Sequence, residues 1–266
     1  MKRINWAATS RLVAAPFVGL AVFLGGWEAM VRGFGIDSFK LPRPSTIIRY
    51  IAGHLSSYWF DAWPTIKVSF IGFVVAFVVA FAVASICAQS AFLERAVSAV
   101  AVLVLVTPLF AYGAAIVLWM GFGNRPIIVM VAIVCFPPLL FNAIGGLRDV
   151  DPLALELLRS VNASRWEVYR RLRVPSSVPS LISGAKVSAG LAIVGAVIGE
   201  PWAYVDRGLG ILIKQLAAAG IVEGATPLWG SIFVLGLIGS FAYLAISGIE
   251  RAALHWHGAT SRSSGR

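Results

Sequence analysis

Six stretches of about twenty apolar residues, Leu12–Val31, Val68–Ala88, Val97–Gly121, Ile127–Leu147, Val178–Gly199 and Trp229–Ile249, decide most of what this chain can become. At a helical rise of ~1.5 Å per residue, each is long enough to cross the ~30 Å hydrocarbon core of a bilayer. No water is available there, so every backbone N–H and C=O must pair inside the protein, which selects helices. Only 13% of the residues are charged and 59% are hydrophobic, whereas a soluble chain carries about a quarter charged residues. The expected fold is an all-α polytopic membrane protein with six transmembrane helices.

Charge sets the orientation. About thirteen Lys and Arg fall in the N-terminus, the second and fourth connections and the tail, and about eight in the opposite loops, so the former side is expected in the cytoplasm. Residues 1–11 are then a cytoplasmic N-terminus, 12–31 the first span and 32–65 an outer loop. Residues 66–249 form a core of five spans with a cytoplasmic segment at 149–177, and 250–266 a basic cytoplasmic tail. The first run exceeds a signal-peptide apolar region, and no Ala-x-Ala cleavage site follows it. The net charge of +10 lies beside the apolar runs, where anionic lipid headgroups attract it, and not on a soluble basic face that would bind nucleic acid. Cys87 and Cys135 fall inside apolar runs without metal-ligand spacing and read as small buried hydrophobes.

Local signals divide the chain further. Leu41-Pro-Arg-Pro-Ser45 resists regular helix, and Ile47–Ser57 has the spacing of a short interfacial helix. Thr107-Pro108 should kink the third span, and Pro137-Pro138 lies near the middle of the fourth. Between the fifth and sixth spans, Glu200–Leu228 holds Asp206-Arg-Gly-Leu-Gly210 and a semi-apolar piece, Ile211–Ala219, that dips toward the membrane.

The most polar internal stretch, Asp149–Pro175, belongs outside the hydrocarbon. Asp151 before Pro152 is a helix start, with a capping carboxylate and a proline at the first helical position. Leu153, Ala154, Leu157, Leu158 and Val161 then make an apolar stripe at helical spacing. Asn162 tolerates the left-handed conformation that ends a helix. Ser164-Arg-Trp-Glu167 fits a capping box opening a second short helix that stops before Pro175. A capped helix pair is a rigid docking element; an amphipathic helix resting on headgroups would need no such turn.

This stretch resembles the signature of bacterial ABC importer permeases: Glu-Ala-Ala, three residues, Gly, nine residues, Ile-x-Leu-Pro. Glu156-Leu-Leu opens it here, Asn162 stands at the glycine, and Leu172, Val174 and Pro175 close it. Leu41-Pro-Arg-Pro-Ser45, Gly146–Pro152, Asn162–Trp166 and Asp206–Gly210 are similar to the nitrate/sulfonate/taurine branch, which also takes vitamin and pyrimidine precursors. The resemblance spans about Leu41 to Ile249. It implies the type I importer fold, located in the bacterial plasma membrane. It also implies a second permease subunit (a homodimer being the expected pairing), cytoplasmic ABC ATPase subunits and an extracytoplasmic solute-binding protein, with membrane lipids around the spans. The ATPase-coupling residues it points to are Glu156, Asn162, Ala163, Ser164, Arg165, Trp166, Glu167 and Pro175.

No Gly-x-x-x-x-Gly-Lys-Ser/Thr loop is present, so ATP and Mg belong on a partner subunit and this chain binds no cofactor. No catalytic or metal-binding constellation stands out either, which argues against a membrane enzyme. An ion-coupled secondary transporter is the alternative, but it wants paired polar groups at mid-membrane, and the spans are nearly bare of them. Tyr112, Trp119, Asn142, Lys186 and Glu200 are the candidates for lining a solute pathway. Each has a structural alternative: packing or aromatic belt for the first three, snorkelling to headgroups for Lys186, and a solvated interfacial carboxylate for Glu200 and for Glu28.

Overall fold

The computed structural model describes residues 6–223 and 225–253, with side chains described for 18–219 and 225–253. The first five residues and the tail from 254, including His255 and His257, lie outside them. The elements are α1 (Trp6–Gly33), α2 (Pro44–Gly53), α3 (Leu55–Cys87), α4 (Ala91–Val106), α5 (Leu109–Met120), α6 (Asn124–Arg148), α7 (Pro152–Ser160), α8 (Arg165–Val168), a π-helical turn (Tyr169–Arg173), α9 (Val174–Ala203), α10 (Leu209–Glu223) and α11 (Thr226–Ala253). The described secondary structure is helical throughout.

Among the described residues, four helices are long and apolar enough to cross a membrane: α3, α6, the continuous helix Arg165–Ala203 and α11. α4 and α5 make a fifth if read as one broken span. The expected first span falls within α1.

The chain divides into two compact units. The smaller takes in residues up to 59 together with Ile213–Val234. There, Trp27 meets Trp229 edge-on at 5.0 Å between ring centres and Phe233 at 5.7 Å. The Tyr58 hydroxyl donates to the Pro227 carbonyl at 2.9 Å. Glu28 is a partly exposed carboxylate, and it is also bound: it pairs with Arg32 and accepts from the Ser45 N–H at 3.1 Å and the Ser45 hydroxyl at 2.9 Å, fixing the first turn of α2.

The larger unit, Phe60–Leu212 with residues from Leu235 on, is built on α6 against α9. Small residues let these backbones approach, the usual solution where lipid gives no hydrophobic drive between helices. A Cβ on Gly146 would stand 2.8 Å from Ser180 Cβ, and one on Gly195 would stand 3.0 Å from Val131 Cα. Glu94 pairs with Arg148, tying α4 to α6, and Lys186 pairs with Glu250, tying α9 to α11.

Two expectations about proline change. Thr107-Pro108 does more than kink the third span: α4 ends at Val106, α5 starts at Leu109, and the axes bend by 99°. Pro108 has no N–H to give, and it holds Thr107 in an extended conformation (φ −76°, ψ 124°), as prolines do to their predecessors. Pro175, in contrast, does not stop the helix that begins at Arg165. The π turn intervenes, with the Val174 N–H bonding the Tyr169 carbonyl one residue further back than in an α-helix, and this register shift accommodates Pro175, which has no N–H to give. The second short helix is therefore the first turns of a long one.

Candidate functional site

The segment from Asp151 to Pro175 keeps the local architecture that its residues prescribe. The Asp151 carboxylate accepts from the Leu153 N–H at 2.9 Å and starts α7. α7 closes on a Schellman motif: the Ala163 N–H reaches the Leu158 carbonyl at 2.9 Å and the Asn162 N–H reaches Arg159 at 3.0 Å. That geometry puts Asn162 in the left-handed region, at φ 55°. The capping box is complete: Ser164 Oγ accepts from the Glu167 N–H at 3.2 Å, and Glu167 Oε2 accepts from the Ser164 N–H at 2.9 Å.

Asn162→Gly should be neutral within a few tenths of a kcal/mol, while Asn162→Val should cost about 1–2 kcal/mol of local stability, since a β-branched residue resists positive φ. Hydrogen exchange at the Asn162 and Ala163 amides reads both, and equal protection in the two variants would contradict the argument.

The turn is anchored from one side only. Trp166 stacks on Tyr169 with ring centres 5.5 Å apart, and the Tyr169 and Ser85 hydroxyls share a hydrogen bond at 2.7 Å. Arg173 Nη1 donates to the carbonyl of Ala88 at 3.1 Å, just past the C-terminus of α3, where a cation also meets the favourable end of the helix dipole. Tyr169, Ser85 and Arg173 carry no motif of their own. The only signal in the sequence is the helical spacing of Trp166 and Tyr169. The other side is bare. Leu153, Leu157, Val161 and Trp166 are 66–74% exposed apart from Trp166 at 65%, and Arg165 is exposed beside them. The predicted stripe exists, and its outer members point away from this chain.

The pathway candidates do not converge on one point. Tyr112 is half-buried beside the α4–α5 break, and Trp119 is exposed on α5. Asn142 Nδ2 donates to Pro138 within α6, at 2.8 Å. Lys186 is held by Glu250 and stands 5.6 Å from the centre of the Tyr243 ring, so it is paired and does not snorkel.

Glu200 is buried, 1% exposed, where the sequence allowed a solvated carboxylate. Its Oε1 accepts from the Thr65 hydroxyl at 2.6 Å and its Oε2 from the Gly210 N–H at 2.6 Å, while Thr65 Oγ1 accepts from the Leu209 N–H at 2.9 Å. Glu200 and Thr65 thereby cap α10 from the flanks of α9 and α3. Asp206-Arg-Gly-Leu-Gly210 gains a reason: at Gly208, φ is 156°, and a Cβ would collide with the Glu200 carboxylate.

Comparison with known proteins agrees with this architecture. Residues 72–254 match the family described as binding-protein-dependent transport system inner membrane component. The riboflavin transport system permease protein RibX of Chloroflexus aurantiacus is 31% identical over 259 residues, covering 96% of this chain and 93% of that protein. The formylaminopyrimidine transport permease protein ThiX of Halalkalibacterium halodurans is 27% identical over 231 residues, covering 86% and 90%. A chain of the MetNI methionine ABC transporter, solved in inward-facing conformations, shares the fold with a TM-score of 0.63 at 20% identity, over 72% of this chain and 93% of that one. This chain belongs to the binding-protein-dependent transport system inner membrane component family: it is a multi-pass plasma-membrane permease subunit of an ABC importer for small solutes, in the nitrate/sulfonate/taurine branch, and a transport component without an ATPase site of its own.

Proposed function

We propose that the turn at Asn162–Ser164, with its outward row Leu153, Leu157, Val161 and Trp166, seats this permease in a cytoplasmic ABC ATPase subunit and carries that subunit's ATP cycle into the spans. The supporting observation is an apolar face on a rigid, doubly capped turn that none of the described residues covers, at the position of the family signature. Glu167 and Ser164 hold the turn, while Arg165 and Trp166 make the contact. Glu156 faces outward on α7, and Pro175 shapes the entry to α9. Two copies pair around a pathway, and an extracytoplasmic binding protein delivers the solute. That solute is a vitamin or pyrimidine precursor, or a nitrate or sulfonate of the branch. The names of the two relatives, one for a formylaminopyrimidine and one for riboflavin, favour the former.

The test is co-purification followed by reconstitution. The tagged permease is expected to bring an ATPase subunit with it, and the complex in proteoliposomes should hydrolyse ATP faster when its binding protein and solute are added outside. A permease that purifies without any ATPase subunit overturns the proposal.

A further inference from the structure

Three contacts join the exposed turn to the end of α3 without a gap. Trp166, mostly exposed, stacks on Tyr169 with the ring planes 24° apart. The Ser85 hydroxyl has one proton, and it goes to the Phe81 carbonyl at 2.7 Å, so the Tyr169 hydroxyl is the donor in the 2.7 Å bond between them. One turn further on, Arg173 Nη1 donates to the Ala88 carbonyl at 3.1 Å. Ala88 lies in the corner where α3 ends at Cys87 and α4 starts at Ala91, behind its Ser90 cap. Tyr169 also packs against the buried core of the larger unit.

The path along the backbone is softer. Between Trp166 and the body of α9 the helix carries the π turn Tyr169–Arg173, then Pro175 and Pro179. Helices bend at π turns and at prolines, because the hydrogen-bond register slips or a donor is missing. A long helix with three such points at its start transmits a displacement of its first turn poorly.

We infer that Tyr169 and Arg173 carry the movement of the turn sideways into the α3–α4 corner, while the π turn and the two prolines let the start of α9 flex. Tyr169 is a positioning residue: it touches Trp166 on one side and Ser85 on the other, and its hydroxyl is the link. The pairing of Glu94 with Arg148 then takes α6 along with the corner. The inference rests on the seating of the turn in an ATPase subunit, and it names the first element of the spans that this seat moves.

The test places a reporter, Gln89→Cys, at the corner of the complete transporter in nanodiscs, with fluorescein-5-maleimide as the probe. Gln89 is exposed, and Cys87 and Cys135 are buried, so the unsubstituted complex gives the background. The alkylation rate should differ about fivefold between the nucleotide-free complex and the complex trapped with ATP and vanadate, as the corner shifts between two populations. Tyr169→Phe keeps the ring and its stack and loses only the donor, and should cut that ratio to about twofold. Ser85→Ala should do the same, with no further loss when the two are combined, because they remove one bond. Tyr169→Phe with Arg173→Gln should bring the ratio to about one. Direct shielding by the ATPase subunit would act alike in every variant, so a ratio that survives the double variant overturns the inference. A ratio of one in the reporter complex overturns it as well. So does a ratio lost only together with vanadate-trapped nucleotide, which would place these residues in the ATP cycle and not in a relay. Retention of the ATPase subunit on purification reports on the proposed function separately. An assembled complex that traps nucleotide over an unresponsive corner sinks the relay alone, whereas a permease that purifies without an ATPase subunit sinks both.

Discussion

Arg165→Glu should leave the permease folded and in the membrane, while solute uptake falls by about two orders of magnitude and ATP hydrolysis continues. Charge reversal at a desolvated interface costs about 2–5 kcal/mol, and each 1.4 kcal/mol is about a factor of ten. The fold should tolerate the change for a local reason. Arg165 is exposed at the first position of α8, and a carboxylate there suits the positive end of the helix dipole. The capping box stays intact, because it is made by Ser164 and Glu167. Uptake and phosphate release measured on the same proteoliposomes separate uncoupling from misfolding. Wild-type uptake by this variant would remove Arg165 from the coupling contact.

Glu200→Ala should be the most destabilising single change in the larger unit. It strands the buried Gly210 N–H and removes the acceptor of the Thr65 hydroxyl, which also serves the Leu209 N–H. Each buried donor left without its acceptor costs about 1–3 kcal/mol. Glu200→Gln keeps one acceptor oxygen and should lose only about 1–2 kcal/mol. The two are compared by thermal aggregation of the detergent-solubilised protein and by protease cleavage between α9 and α10. If Glu200→Ala melts with the wild type and resists cleavage equally, the carboxylate is not what anchors α10.

What could be read in advance divides by sequence distance. Asp151 capping Leu153, Asn162 in the left-handed region and the Ser164–Glu167 box all act within a few residues, and all are present in the structure. The break at Thr107-Pro108 was legible as a bend, because the missing N–H is a property of the residue itself; its size was not. Pro175 followed the opposite course. The rule that helices end before proline yields where a π turn shifts the hydrogen-bond register, and no residue type announces such a turn. Glu200 was opaque for a different reason. Its partners are Thr65, 135 residues away, and an amide ten residues on, so its position near a span end suggested solvent. Lys186 and Glu250, 64 residues apart, were likewise recognisable singly and not as a pair. In an apolar chain the exposed stripe is also ambiguous: Leu153 and Leu157 mark a face, and only the fold shows that the face looks away from the protein.

Cross-linking tests most directly whether the turn at Asn162–Ser164 seats in the ATPase subunit. Ala163 lies at the tip of the turn, between the Schellman motif and the capping box, and its side chain bears none of their hydrogen bonds. Ala163→Cys, in a complex that still takes up solute, should cross-link to the ATPase subunit with a short bifunctional maleimide. The yield should change between the nucleotide-free and ATP-bound states as the seat moves. A cysteine at 163 that reacts with small maleimides but never captures the ATPase subunit, in either state, would contradict the account.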